Sequence, residues 1–383
     1  MRAVGLMSGT SLDGIDAAYV ELRPRDRGYA VRLISFTTEA FTPGVRDRLF
    51  AALPPNLPAP AEIARLDGEL GAAFGSAARA AAADGPLDFV ASHGLTLYHD
   101  GAAHRTWQLG DPFAIRERAN ATVVSDFRRG DCAAGGAGAP LVPYVDALLF
   151  ADAGRDAVAL NLGGIANVTL LPAGARPEDA RGWDTGPGNM LLDAFVRERT
   201  GGAEAYDAGG AYALRGEVAA ELLDALLRDE FCALPPPKST GRERFGSHYF
   251  AAHPGLARLS LEDGCATLAA FTAASIARDL RRALPGGARV LVSGGGARNA
   301  ALVEGLRQRL GDPFAVASSA EAGVDPDAKE AIAFAVLGYE LLRGRAAGLP
   351  AVTGARHPAL LGALAPFDLA GLSARVGVEC GER

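Results

Sequence analysis

Residues 7–16 read Met7-Ser8-Gly9-Thr10-Ser11-Leu12-Asp13-Gly14-Ile15-Asp16. Small residues and two carboxylates here make a turn between two apolar runs. Glycines let backbone amides come close to a phosphate, and the hydroxyls of Thr10 and Ser11 add donors. A carboxylate such as Asp13 would be repelled by bare phosphate, so it makes sense beside Mg²⁺. Taken alone the segment also reads as an ordinary hairpin with a polar turn. Recurrence decides between the two. A second strand–turn–strand runs Leu160-Asn161-Leu162-Gly163-Gly164-Ile165-Ala166-Asn167-Val168-Thr169, and a third glycine turn, Ser293-Gly294-Gly295-Gly296-Ala297-Arg298-Asn299, joins a strand to a helix.

Around these turns the chain alternates. Short apolar runs ending in glycine or a small polar residue lie at Ala3–Met7, Phe89–Ala91, Ala121–Val124, Ala157–Leu162 and Val290–Val292. Such runs predict buried strands. Asn299 can cap a helix carrying Leu302, Val303, Leu306 and Leu310 on one face, and Ala328–Leu342 predicts another. Strands alternating with helices mean an α/β protein, whose sites sit at strand ends. Proline-rich Leu53–Pro60 and Leu234–Pro237 read as loops. A lobe boundary is placed near Arg128–Gly138, where a charged turn opens into a glycine-rich stretch.

Bulk properties narrow the class. A chain of 383 residues exceeds one ordinary core, so two domains are the default. A net charge of −7 argues against a nucleic-acid partner. Cys132, Cys232, Cys265 and Cys380 form no C-x-x-C pair, which suits reduced thiols in the cytoplasm. The N-terminus is not read as a signal peptide, and no run approaches a membrane helix. Lys238 and Lys329 are the only lysines and neither follows a glycine, so there is no G-x-x-x-x-G-K-[ST] loop. The glycines at 135–138 lack dinucleotide spacing. His93, His99 and His104 have spacings of six and five, which do not make the i, i+4 zinc arrangement.

Two glycine hairpins followed by a strand–GGG–helix turn are how actin-like ATPases hold the β- and γ-phosphates and the adenosine. More specifically, the chain resembles the anhydro-N-acetylmuramic acid kinase family of the acetate/sugar kinase–Hsp70–actin superfamily. The resemblance rests on GLMSGTSLDGID at 5–16, DFRRGD at 126–131, NLGGIANVT at 161–169 and WDTGPGNMLLD at 183–193. PPPKSTGRERF at 235–245, SGGGARN at 293–299 and DPDAKEAIAFAVL at 325–337 extend it over nearly the whole chain.

The resemblance implies a two-lobed, ribonuclease H-like fold with a nucleotide cleft between lobes. Residues 1–128 would form the N-terminal lobe, completed by helix 328–345, and 129–327 the C-terminal lobe, leaving 366–383 as a tail without a role. The implied reaction uses ATP and Mg²⁺. Water is added across the 1,6-anhydro bond of the amino sugar and O6 is phosphorylated, in cell-wall recycling. Other acceptors on the same fold, or an inert ATP-binding switch, are the competing readings. A cytoplasmic homodimer with neither membrane nor nucleic-acid partners is expected.

By resemblance Asp184 is the catalytic base. Gly9, Thr10, Ser11, Leu12, Asp13, Gly14, Ile15 and Asp16 would form the ATP phosphate loop, with Asp13 on the metal. Gly163, Gly164 and Asn167 would supply the second phosphate hairpin, and Ser293, Gly294, Gly295 and Asn299 the adenosine turn. His93, Arg128, Asp131 and Glu330 are expected sugar contacts. Lys238 and Arg242 are expected only to order a loop. Leu95, Trp107 and Ala137 depart from the family's usual glutamine, leucine and glutamine, which bears on sugar recognition.

Overall fold

The computed structural model describes the chain except residues 10, 11, 13, 26, 27, 55, 57, 84, 247 and 381–383, and the side chains of 243, 379 and 380. Thr10, Ser11 and Asp13 therefore lie outside the described residues. The strands are β1 Arg2–Ser8, β2 Gly14–Pro24, β3 Tyr29–Ala40, β4 Phe89–Asp100, β5 Arg105–Leu109, β6 Thr122–Ser125, β7 Ala157–Leu162, β8 Ile165–Leu171, β9 Arg181–Pro187, β10 Arg289–Ser293, β11 Ala315–Ser318 and β12 Ala363–Ala365. Each predicted apolar run is found in one of these strands.

The chain forms two compact units. Unit 1 comprises Met1–Leu149, Arg176–Glu178 and Ala328–Arg383; unit 2 comprises Phe150–Ala175 and Asp179–Asp327. In unit 1 the sheet runs β12-β6-β4-β1-β2-β3, with β5 paired to β4; β1, β4 and β6 are parallel, and β1, β2 and β3 form an antiparallel meander. In unit 2 the sheet runs β11-β10-β7-β8-β9, where β7, β10 and β11 are parallel and β7, β8 and β9 antiparallel. Each unit thus repeats one plan, a three-strand meander extended by two parallel strands. That duplicated plan is the actin-like, two-lobed α/β fold.

Each sheet has its own apolar core. Val4, Leu6, Val90 and Val123 pack with Leu66, Leu70 and Phe74 of helix Pro60–Ala82 in unit 1. Val158, Leu160, Val290 and Val292 pack with Leu268, Phe271 and Ile276 of helix Leu261–Ala283 in unit 2. Helix Lys329–Leu342 lies on β1 so closely that a side chain at Gly5 would meet the carbonyl of Ala331. Among the described residues no helix is long and apolar enough to cross a membrane.

The division falls at residues 149/150 rather than at 128/129. Segment 129–149 is held in unit 1 by long-range polar contacts. Lys329 Nζ stands 2.9 Å from Asp146, both buried, and the hydroxyl of Tyr144 donates to Glu340. Within the expected tail, Leu369–Cys380 folds as a helix that buries Leu372 and pairs Arg375 with Asp88 at 2.9 Å. It packs as part of unit 1.

Candidate active site

In unit 1 the first glycine turn closes on itself. The Ser8 hydroxyl donates to the Gly14 carbonyl at 2.7 Å, and Leu12 N donates to Gly9 O at 3.2 Å. Leu12 adopts φ 58° and is fully buried, and Ile15 is buried too, so these two anchor the turn through the core. Asp16, on β2, accepts from Thr38 Oγ1 at 2.6 Å.

The parallel pairing of β4 with β6 ends at Ser92 and Ser125, so that His93-Gly94 and Asp126 follow at the same end of the sheet as the turn after β1. His93 is 3% exposed and packs on Phe334. Its Nε2 accepts from Arg128 Nε at 2.8 Å, and its Nδ1 lies 2.9 Å from the Gly94 carbonyl. A carbonyl can only accept, so Nδ1 carries the proton and the ring is neutral. Burial, and then the Arg128 charge, hold its pKa well below the ordinary imidazole value. Arg128 also donates to Gly138 O at 2.9 Å. His93 is therefore a fixed acceptor that aims a guanidinium.

Glu330 lies in the first turn of helix Lys329–Leu342. Burial raises its carboxyl above the usual range; Lys329 and Arg128 pull it back, and Asp16 and Asp146 push it further up. Glu330, Arg128 and Asp16 therefore share one electrostatic neighbourhood in unit 1. Asp131 does different work. It is fully buried, with Oδ2 accepting from Gly138 N at 2.8 Å and Oδ1 from Thr353 Oγ1 at 2.7 Å. Its visible task is to hold the Gly135–Gly138 loop on which Arg128 leans.

A cavity of about 230 Å³ opens at this strand edge, lined by His93, Gly94, Trp107, Gln108, Ser125 and Asp126 among others. Of the four expected sugar contacts only His93 lines it. Of the three departures, Trp107 lines it, half-exposed, whereas Leu95 is buried in the core opposite Leu109. Ala137 donates its N–H to Thr353 O at 2.8 Å, a contact open to any residue type except proline.

Unit 2 carries the other two glycine turns and Asp184. The β7–β8 turn at Gly163-Gly164 is locked by the segment after β9. Gly188 N and Met190 N donate to Gly164 O at 2.9 and 3.0 Å, and Asn189 N donates to Gly163 O at 2.8 Å. Asn189 Nδ2 adds bonds to Leu162 O and Gly163 O at 3.0 and 3.2 Å. A side chain at Gly188 would collide with the Gly163 carbonyl, so GPGN at 186–189 clamps the Gly163-Gly164 turn. In the third turn, Gly294 takes φ 80° and donates to Pro326 O at 3.0 Å, and buried Ser293 Oγ donates to Leu160 O at 3.2 Å. Asn299 Oδ1 accepts from Leu302 N at 3.1 Å, the cap its position predicts. Gly295 is exposed at the head of this turn.

Asp184 lies on β9 opposite Asn167 of β8, the residue after Ala166, which pairs with Leu162 across the hairpin. Its Oδ2 accepts from Ser239 Oγ and from Thr240 N, both at 2.9 Å, and its own N–H donates to Lys238 O at 3.0 Å. The loop at 238–240 therefore grips Asp184 by backbone and side chain. The sequence offered Lys238 no role beyond ordering this loop. Its ammonium is in fact buried against Asp279, 2.9 Å away, with both side chains at most 2% exposed. Lys329 and Asp146, a second buried pair, were likewise not expected. Only the shortage of lysine in the chain singles these two out.

A family model described as anhydro-N-acetylmuramic acid kinase matches residues 1–367. Curated relatives of that name agree. The protein of Xanthomonas axonopodis pv. citri is 46% identical over 95% of this chain and 97% of its own. That of Synechococcus elongatus is 44% identical over 94% and 98%, and that of Rhodococcus erythropolis 43% identical over 96% and 94%.

Proposed function

The chain belongs to the anhydro-N-acetylmuramic acid kinase family, and we propose that Asp184 is the base of its reaction and that the residues described above hold ATP and the sugar. The activity is that of an ATP-dependent sugar kinase acting on anhydro-N-acetylmuramic acid in cell-wall recycling. Water attacks the anomeric carbon, the bond from that carbon to O6 breaks, and O6 takes the γ-phosphoryl group. ADP leaves with the bridging oxygen, and the water proton passes to a base.

The observation that carries the assignment is the grip on Asp184: two donors on one carboxylate oxygen and a backbone bond beneath it. Hydrogen bonds that hold a carboxylate in one direction preorganise it for proton transfer. A base so placed is worth about 10²–10⁴-fold. The clamped Gly163-Gly164 turn, with Asn167 beside it, suits the phosphates. Gly294, Gly295 and Ser293 suit the nucleoside, and Asn299 serves by capping the helix behind them.

In unit 1, Gly9 to Asp16 would bind phosphate. Among the described residues no three His, Cys, Asp or Glu side chains stand together as a metal cage. Mg²⁺ is commonly held by one or two carboxylates and the phosphates themselves. Asp13 is the donor we assign from its place in the sequence; when bound, the ion would neutralise phosphate charge. Arg128 and Glu330 are assigned to the sugar, His93 to aiming Arg128, and Asp131 to holding its loop. A cytoplasmic homodimer completes the reading.

The test is incubation with ATP, Mg²⁺ and anhydro-N-acetylmuramic acid, with products weighed by mass spectrometry and Asp184→Asn alongside. A product heavier by one water and one phosphoryl group, with turnover lost about 10²-fold or more in the variant, is expected. Full turnover by the variant would remove Asp184 from the chemistry.

A further inference from the structure

The loop that grips Asp184 has no regular structure of its own. Residues 234–237 are exposed, and Ser239 is exposed as well. Something must fix where Ser239 Oγ and Thr240 N point. We propose that the buried Lys238–Asp279 ion pair is a positioning device that sets the direction of the Asp184 carboxylate. This rests on the reading of Asp184 as the base.

Asp279 sits in the long helix Leu261–Ala283 and serves two masters. Its carboxylate receives Lys238 Nζ at 2.9 and 3.2 Å, and its Oδ2 receives the indole N–H of Trp183 at 3.1 Å. Trp183 precedes Asp184 on β9, and Lys238 precedes the two donors to Asp184 in the loop. One carboxylate on a rigid helix thus pins both arms of the grip. Lys238 is further fixed by the Phe231 carbonyl at 3.2 Å and lies 4.7 Å over the Phe231 ring. Burial raises the carboxyl of Asp279 above its ordinary range, and the bonds from Lys238 and Trp183 oppose that rise.

A buried ion pair is a poor device for stability alone, because apolar residues of similar volume commonly do as well or better. What an apolar pair cannot supply is direction, since burial of apolar surface is non-directional. A loop anchored by hydrogen-bonded charge at one point and contacting Asp184 at the next two residues has little freedom left. Loss of that anchor allows the donors to drift by an ångström or so, which is enough to disturb a reacting geometry.

The experiment compares the full-length parent, Asp184→Asn, and the double variant Lys238→Met with Asp279→Asn. The double variant removes both charges together and keeps an acceptor for Trp183. Expected is a folded protein whose KM values for ATP and sugar stay close to the parent's, whose kcat falls about 10²-fold, and whose acid limb of kcat moves to higher pH, because a carboxylate with fewer donors is more easily protonated. A parent-like kcat and pH profile in the double variant, with Asp184→Asn inactive, overturns the positioning role and leaves the base standing. Parent-like activity in Asp184→Asn removes the base and the positioning role together. Should the double variant not fold, Ser239→Ala tests the exposed end of the same chain of contacts. About a 10-fold loss in kcat at unchanged KM is expected from one hydrogen bond to a charged group, and no loss overturns the proposal.

Discussion

His93 offers a sharp test because its proton is assigned by its partners. With Arg128 donating to Nε2 at 2.8 Å, the ring cannot take a second proton without setting two donors against each other. In the unfolded chain the imidazole titrates near 6.5; in the native state burial and Arg128 hold it well below that value. The unfolded state therefore binds more protons under acid conditions, and stability falls as pH drops below about 6.5. The limiting contribution is RT ln(1 + 10^(6.5 − pH)), about 0.1 kcal/mol at pH 7.5 and about 2 kcal/mol at pH 5.0. Glutamine cannot titrate, yet its carbonyl can still accept from Arg128. Urea denaturation of the parent and His93→Gln across this range is expected to show a stability difference that changes by about 2 kcal/mol in the variant's favour toward acid. His99, also shifted downward by burial, is present in both proteins and cancels. Parallel curves would refute the neutral-acceptor assignment, whatever the absolute stabilities.

Two further outcomes follow from close contacts. Lys329→Met strands the Asp146 carboxylate in the core of unit 1 and is expected to lower stability by about 3–5 kcal/mol; adding Asp146→Leu should restore most of it, and a single-variant loss below about 1 kcal/mol by urea denaturation would contradict the buried pair. Gly188→Ala pushes a methyl group into the Gly163 carbonyl, so the hairpin turn must open; the KM for ATP is expected to rise about 10-fold or more, and an unchanged KM would show that this turn does not hold phosphate.

The strands at the sheet centres and the glycine turns that end them were legible from residue types alone. Apolar runs such as Val290–Val292 followed by Ser293-Gly294 have only one economical local structure, and Asn299 caps its helix as its position predicts. The sheet-edge strand β3 and the helices Pro60–Ala82 and Leu261–Ala283 were not singled out. β3 is mostly half-buried or exposed along its length, which blurs its pattern. Both helices carry clear apolar faces, such as Leu66, Leu70 and Phe74 in the first, which a reading for short apolar runs does not look for. The boundary near residue 128 was drawn on a local change of composition, whereas the actual division follows partners hundreds of positions away, such as Asp131 with Thr353.

Sequence by itself determined where the chain could turn, which segments could be buried strands, and that Asp184 lies in a glycine-rich motif of a recognisable kinase family. Short-range rules suffice for that, because turn conformation and strand burial are set by a residue and its neighbours. Only the tertiary structure decided what each charged group does. Asp184 meets its donor 56 positions on, Lys238 meets Asp279 41 positions on, and Arg128 meets His93 35 positions back. No local pattern encodes which distant charge will arrive within hydrogen-bond reach. That depends on how each unit packs its own helices and loops on its sheet, which puts Asp131 in buried contact with Gly138 and Thr353 and Lys238 in buried contact with Asp279.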